Sequence, residues 1–160
     1  MSPETHRAQL TSAAPTGRFR GGRSWLLDAK RFPISKTITG AVFEIDRGGM
    51  RTLHWHPNAD EWQYVISGRA SVTKFGSGGH WRAETLAKGD VAYIPQGCGH
   101  SIENVGDTPL KILVTPNSGD YQEIDLGQWM AGNPPDVLAT NLGRPAASFR
   151  RFPTRDAFIE

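Results

Sequence analysis

A single cysteine, Cys98, leaves this chain without a partner for an internal disulfide, so a cross-linked framework is excluded. Nothing approaches the ~20 consecutive apolar residues of a membrane span. The opening stretch MSPETHRAQLTSAAPTG lacks the apolar block of a secretory signal. Together these absences lead us to expect a soluble, cytoplasmic protein that uses no membrane. A dominant charge is missing too: 18 Lys+Arg against 16 Asp+Glu give a formal net charge of +2, too weak to imply nucleic acid. There is no internal repeat and no low-complexity segment. Glycine and proline are plentiful, at 18 and 11 residues, and their positions punctuate the chain.

From Thr37 onward, short β-type runs alternate with turn residues. The runs are TITGAVFEI, RTLHWH, EWQYVIS, ASVTKF, HWRAETL, VAYI, SIEN and LKILVT. Between them stand Gly48-Gly49, Pro57-Asn58, Gly68, Gly76 to Gly79, Gly89-Asp90, Pro95 to Gly97 and Gly106 to Pro109. Each supplies the positive or fixed φ that a corner needs. Short strands at this spacing predict an all-β sandwich or barrel in one domain. Residues 1–24 read as a flexible N-terminal arm, 25–118 as the barrel, 119–143 as a lid with short C-terminal helices, and 144–160 as a tail. The helices are expected after Asp125 and after Pro134, the second ending at Gly143. Arg144, Arg150, Arg151 and Arg155 interleave with phenylalanines in the tail, but no nucleic-acid module accompanies them.

Chemistry gathers in GGMRTLHWHPNADEWQYVISG, residues 48–68. His54 and His56 are two apart, so on a strand both imidazoles leave the same face. Glu61 follows a Pro-Asn-Ala-Asp turn and can swing back beside them, and His100 opens a short strand after the bend in GDVAYIPQGCGH. Three imidazoles and a carboxylate form a set that binds a divalent first-row metal, with iron, nickel, copper and zinc as well as manganese open. Trp55 alternates away from the ligand face and is expected in the core or at an interface. Cys98 is expected as a small buried filler, and His6 and His80 receive no role.

Gly48, His54, His56, Glu61 and Gly68, followed by Gly89, Pro95, Gly97, His100 and Asn104, have the spacings of the two cupin motifs. The chain therefore resembles the cupins, which implies a double-stranded β-helix, the jelly-roll barrel. Within them it looks most like the bacterial and fungal oxalate decarboxylases, especially their second cupin domain. The likeness is carried by FPISKTI from Phe32, LHWH from Leu53, EWQYVISG from Glu61, HSIENVGD from His100 and QWMA from Gln128. It runs from about residue 23 to residue 143. Those enzymes have two such domains and this chain has one, which implies a homo-oligomer in which a second copy takes the missing place.

The resemblance implies Mn2+ at His54, His56, Glu61 and His100, with O2 as co-catalyst and oxalate or another small carboxylate as substrate. It implies that oxalate is cleaved to formate and CO2. Arg51 matches an arginine that meets the substrate, and its fork of donors suits a carboxylate. It stands an odd number of residues before His54, so the role requires a twist or bulge. The family's lid glutamate matches near Asp120, with Glu123 as the fallback and Gly119 as a hinge. The position of its alternative glutamate holds Val114. Two other readings follow: an oxalate oxidase that makes CO2 and H2O2, and a non-catalytic cupin that binds or senses a small carboxylate.

Overall fold

A computed structural model describes residues 5–150, 152 and 157–160 of the chain. Arg151 and Arg155 of the tail lie outside the described residues. The strands run in chain order as β1 (Gly17–Phe19), β2 (Gly22–Leu27), β3 (Gly40–Ile45), β4 (Met50–Trp55), β5 (Glu61–Ser67) and β6 (Arg69–Phe75). After them come β7 (Trp81–Ala87), β8 (Val91–Ile94), β9 (Gly99–Asn104), β10 (Leu110–Pro116) and β11 (Ile124–Asp125). Two helices close the order, α1 (Leu126–Ala131) and α2 (Pro135–Leu142). One sheet has the order β1-β2-β3-β10-β5-β8 and the other β11-β4-β9-β6-β7. The strands pair antiparallel throughout the two sheets, the all-β barrel that the spacing of turns predicts.

Period-two alternation sets the inside. On β10, Leu110, Ile112 and Val114 are fully buried, and on β3 Ala41, Phe43 and Ile45 meet them from the neighbouring strand. The inward face of β5 breaks this apolar rule, running Glu61, Gln63, Val65, all buried. Buried carboxylate and amide groups need compensating partners, so this face marks the working region of the barrel.

Residues 17–24, assigned to the arm from the sequence, are part of the first sheet. β1 and β2 form a hairpin, and β2 pairs with β3 from Gly22↔Ile45 to Leu27↔Gly40. Its arginines disguise it: Arg23 Nε donates to Glu44 of β3 at 2.9 Å instead of facing free solvent. Gly22 sits at φ 152°, and a Cβ there would come 2.1 Å from the Glu44 carbonyl oxygen. Trp25 is buried and its indole donates to the Ala13 carbonyl at 2.9 Å. The preceding arm therefore crosses the sheet face.

The helices agree with the expectation. Asp125 caps α1 by accepting from the Gln128 amide at 2.8 Å, and α2 ends at Gly143, left-handed at φ 61°. The far end of the tail docks on the barrel: Met50 and Glu160 exchange backbone hydrogen bonds at 2.7 and 2.9 Å, and Ile159 is fully buried. No helix among the described residues is long and apolar enough to cross a membrane.

Candidate metal centre

His54 on β4 and His100 on β9 are directly paired across the second sheet. His56 lies just beyond β4, while Glu61 opens β5 in the facing sheet. The β scaffold thus brings two strands of one layer and one of the other onto a single point. One ligand atom from each of the four side chains lies within 4.8 Å of all the others, and all four residues are buried.

The ring nitrogens show what this point can hold. His54 Nδ1 lies 2.7 Å from the Thr52 carbonyl, His56 Nδ1 2.7 Å from that of Gln122, and His100 Nδ1 3.1 Å from that of Cys98. A carbonyl only accepts, so each Nδ1 carries a proton, and in the neutral form each ring would turn an Nε2 lone pair toward the centre. His56 Nε2 comes 2.7 Å from one Glu61 oxygen and His100 Nε2 3.4 Å from the other, yet neither contact has hydrogen-bond geometry. Buried nitrogens aimed at a carboxylate without hydrogen-bonding it are the pattern of ligands around a cation, and the donor set fits one. Gln63 Nε2 donates to Glu61 Oε1 at 2.7 Å and fixes the carboxylate.

Protonation follows from the same contacts. Burial, then the nearby Arg51 charge, holds His54 well below the ordinary imidazole value. Burial also opposes a charge on His56, but the adjacent Glu61 outweighs it and raises His56. Burial pushes Glu61 upward, and the flanking His100 and His56 overcome it, holding the carboxyl well below its usual range.

Arg51 is 0% exposed. The β4–β9 register shifts between Arg51 and His54, the irregularity that its proposed role requires. Its Nη1 donates to Thr52 Oγ1 and to the Phe158 carbonyl, both at 3.1 Å, and its Nη2 donates to the Glu123 carboxylate. Tyr121 donates its hydroxyl to Glu123 at 2.7 Å, and its ring centroid is 5.3 Å from that of His56. Burial keeps that phenol protonated far above its ordinary range, so it remains a donor.

The lid stretch differs in detail from the expectation. Asp120 is exposed, and its carboxylate accepts from Gln122 Nε2 on the outside of the loop. Glu123 is the carboxylate that reaches Arg51. Gly119 is not free to hinge: its amide donates to Lys36 at 3.1 Å, its carbonyl accepts from Ala29 at 2.8 Å, and a Cβ would come 2.5 Å from the Lys36 backbone. Close packing explains this glycine. Val114 is a core residue with 0% exposure. Trp55 is half-buried with its ring 6.4 Å from Trp129, and Cys98 is half-buried at a groove instead of buried.

That groove has a volume of about 870 Å3 and borders the centre through His54 and His100. Its walls include Leu53, Trp55, Phe75 and Trp81, of which Leu53 and Trp55 alternate away from His54, so we read it as the outer surface of the sheet. Tyr121, Gln63 and Phe158 were not singled out from the sequence. Gln63 had a signal, being two residues from Glu61 on one strand; the other two reach the site only through the tertiary fold.

A two-sheet barrel holding three histidines and a glutamate at these spacings defines a class of protein. A sequence profile of the cupin family matches residues 8–144, and the chain belongs to that family. Among its relatives is the oxalate decarboxylase OxdC of Bacillus subtilis (strain 168), 43% identical over 122 residues, which cover 76% of this chain and 32% of OxdC. A probable oxalate decarboxylase of Arthroderma benhamiae is 40% identical over 126 residues, 78% of this chain and 31% of that protein. A solved structure of the B. subtilis enzyme at pH 4.6 superposes with a TM-score of 0.88 at 36% identity, covering 94% of this chain and 39% of that one. The chain thus spans about a third of the length of these two relatives. The germin-like protein 3-8 of rice is more distant, at 26% identity over 139 residues.

Proposed function

We propose that this cupin is a manganese-dependent oxalate decarboxylase that converts oxalate and a proton to formate and CO2. The observation that carries the reading is the convergence of three Nε2 lone pairs and the Glu61 carboxylate beside a fully buried arginine. Manganese is favoured by the likeness to the B. subtilis enzyme, one of whose solved structures concerns its Mn(II) centers. His54, His56, Glu61 and His100 would hold the ion. When bound, it would supply positive charge to anchor a carboxylate and a redox-active partner for O2.

The residues of the chain do the rest. Arg51 offers a preorganised, desolvated guanidinium that can take the second carboxylate by parallel N–H donors. In the described conformation Glu123 occupies part of that fork. A substrate carboxylate taking the same donors would release Glu123 from its ion pair, and the freed carboxylate would take up the proton of hydrogen oxalate or of solvent and pass it to the carbon left when CO2 departs. Tyr121 donates to the same carboxyl oxygen and keeps it oriented. We therefore assign the acid to Glu123 in preference to Asp120. The presence of an acid within reach of Arg51 favours the decarboxylase over the oxidase, which needs none. The test is direct: Mn-loaded protein given oxalate at mildly acidic pH yields formate. Hydrogen peroxide without formate would assign it as the oxidase, and binding without product as a carrier or sensor.

We also propose that the chain works as a homo-oligomer. Trp81 at 69% and Phe75 at 54% exposure line the outer groove, and Trp129, 54% exposed, stands 6.4 Å from the ring of Trp55 in its wall. This exposed apolar surface, which a second copy would bury, supports the reading.

A further inference from the structure

Residues 157–160 lie outside the stretch matched by the cupin profile, yet they reach the arginine at the centre of the proposed chemistry. A guanidinium is a flat fork of five donors, so its orientation is set by what covers its faces and what accepts along its edges. Phe158 does both. Its ring centroid lies 3.7 Å from Arg51 Cζ, a stacking distance, and its carbonyl accepts from Arg51 Nη1 at 3.1 Å. The same ring stacks on Phe19 at 4.9 Å and meets the edge of Phe43 at 5.5 Å, so it is itself fixed.

The backbone is bent to make this possible. Phe158 has φ 53°, the one positive value at a non-glycine position among the described residues. Ile159 donates back to the Ala157 carbonyl at 2.6 Å and closes a three-residue turn around it. An ordinary extended strand could pair with β4 without such a turn, so pairing alone does not explain the bend. The segment is held down by the Met50–Glu160 backbone bonds, by the buried Ile159 and by Gly21, where a Cβ would stand 2.2 Å from the Glu160 backbone.

We propose that Phe158 is a positioning residue for substrate: its ring and carbonyl set the plane of the Arg51 guanidinium for carboxylate binding, making residues 158–160 part of the anion site. The proposal rests on Arg51 being the substrate's anchor. It is tested in the full chain with Phe158→Leu, which keeps an apolar side chain, and Phe158→Tyr, which keeps the ring. In 15N-labelled protein without metal, the Arg51 Nε–H resonance, assigned by its loss in Arg51→Lys, shifts toward that of free arginine in Phe158→Leu and stays in Phe158→Tyr. In the Mn-loaded enzyme, Phe158→Leu raises KM for oxalate about tenfold with kcat and metal content retained, and Phe158→Tyr restores it. An unmoved resonance with unchanged KM overturns the proposal, as does a parallel loss of metal and activity. Failure of the wild-type protein to bind or convert oxalate would instead remove the proposed substrate, and the Arg51 resonance would still decide whether Phe158 orients it.

Discussion

The two carboxylates of the lid stretch, three residues apart, have different fates. Asp120 faces outward to Gln122, and Glu123 turns inward to Arg51 and Tyr121. Glu123→Gln is therefore expected to lower kcat for formate by about 100-fold or more, the usual scale for a lost general acid, while Asp120→Asn leaves it unchanged. The opposite pattern in a formate assay would return the acid to Asp120. Arg51→Lys keeps the charge but loses the fork, and a rise in KM of roughly 10- to 100-fold at unchanged metal content is expected. The metal ligands set the pH response. His56 is raised above its ordinary 6.5, so below that raised value the metal-free site carries a proton that metal must displace. Its pairing with Glu61 stabilises the metal-free fold at acidic pH and fades as pH rises through the raised value; Glu61, being depressed, keeps its share until pH falls well below 4.5. Calorimetry in buffers of different ionisation heat should show Mn2+ binding release protons at about pH 6 and none at clearly alkaline pH. A release independent of pH would contradict this. His54 and His56 were readable because side chains two apart on an extended run share a face, and Glu61 and His100 because they keep the spacings of the two cupin motifs. Tyr121 and Phe158 were not, because nothing local ties them to His56 or Arg51.

Among the elements, the runs from β3 to β10 were legible because apolar alternation and turn residues agree there. VAYI and EWQYVIS coincide with β8 and β5. β1 and β2 escaped because arginines occupy their outward positions and glycines their turn, a composition that reads as a mobile arm. β11 has two residues and exists only through its pairing with Trp55 and His54. The hinge reading of Gly119 failed for a related reason. A glycine beside a loop carboxylate looks permissive in sequence, whereas here it is demanded by the Lys36 backbone. Gly119→Ala should accordingly destabilise the fold by about 1–3 kcal/mol, the scale of an overpacked contact, with kcat per folded molecule retained. Thermal unfolding beside a rate assay separates the two: a lowered kcat at unchanged melting temperature would restore the hinge.

For the molecule as a whole, the sequence disclosed a closed barrel and a likeness to one domain of larger enzymes, but not which surface that likeness leaves exposed. The contact proposed for a second copy is the outer groove around Phe75 and Trp81, so sedimentation should find the wild-type chain as a dimer or larger. Phe75→Glu with Trp81→Glu should give monomers that still bind metal, and a wild-type monomer at micromolar concentration would remove the oligomer. A bound ion stabilises only the folded state, so at free metal near 100 times Kd its removal by chelator is expected to cost about 2.7 kcal/mol, a drop of roughly 5–11 °C in Tm. The decisive measurement is the metal content of the purified chain after Mn2+ loading and desalting, for the wild type and for His100→Ala. One ion per wild-type chain, falling close to none in the variant, is the result that convergence of His54, His56, Glu61 and His100 requires. A wild-type chain that retains no metal, or a variant that retains it equally, would contradict it.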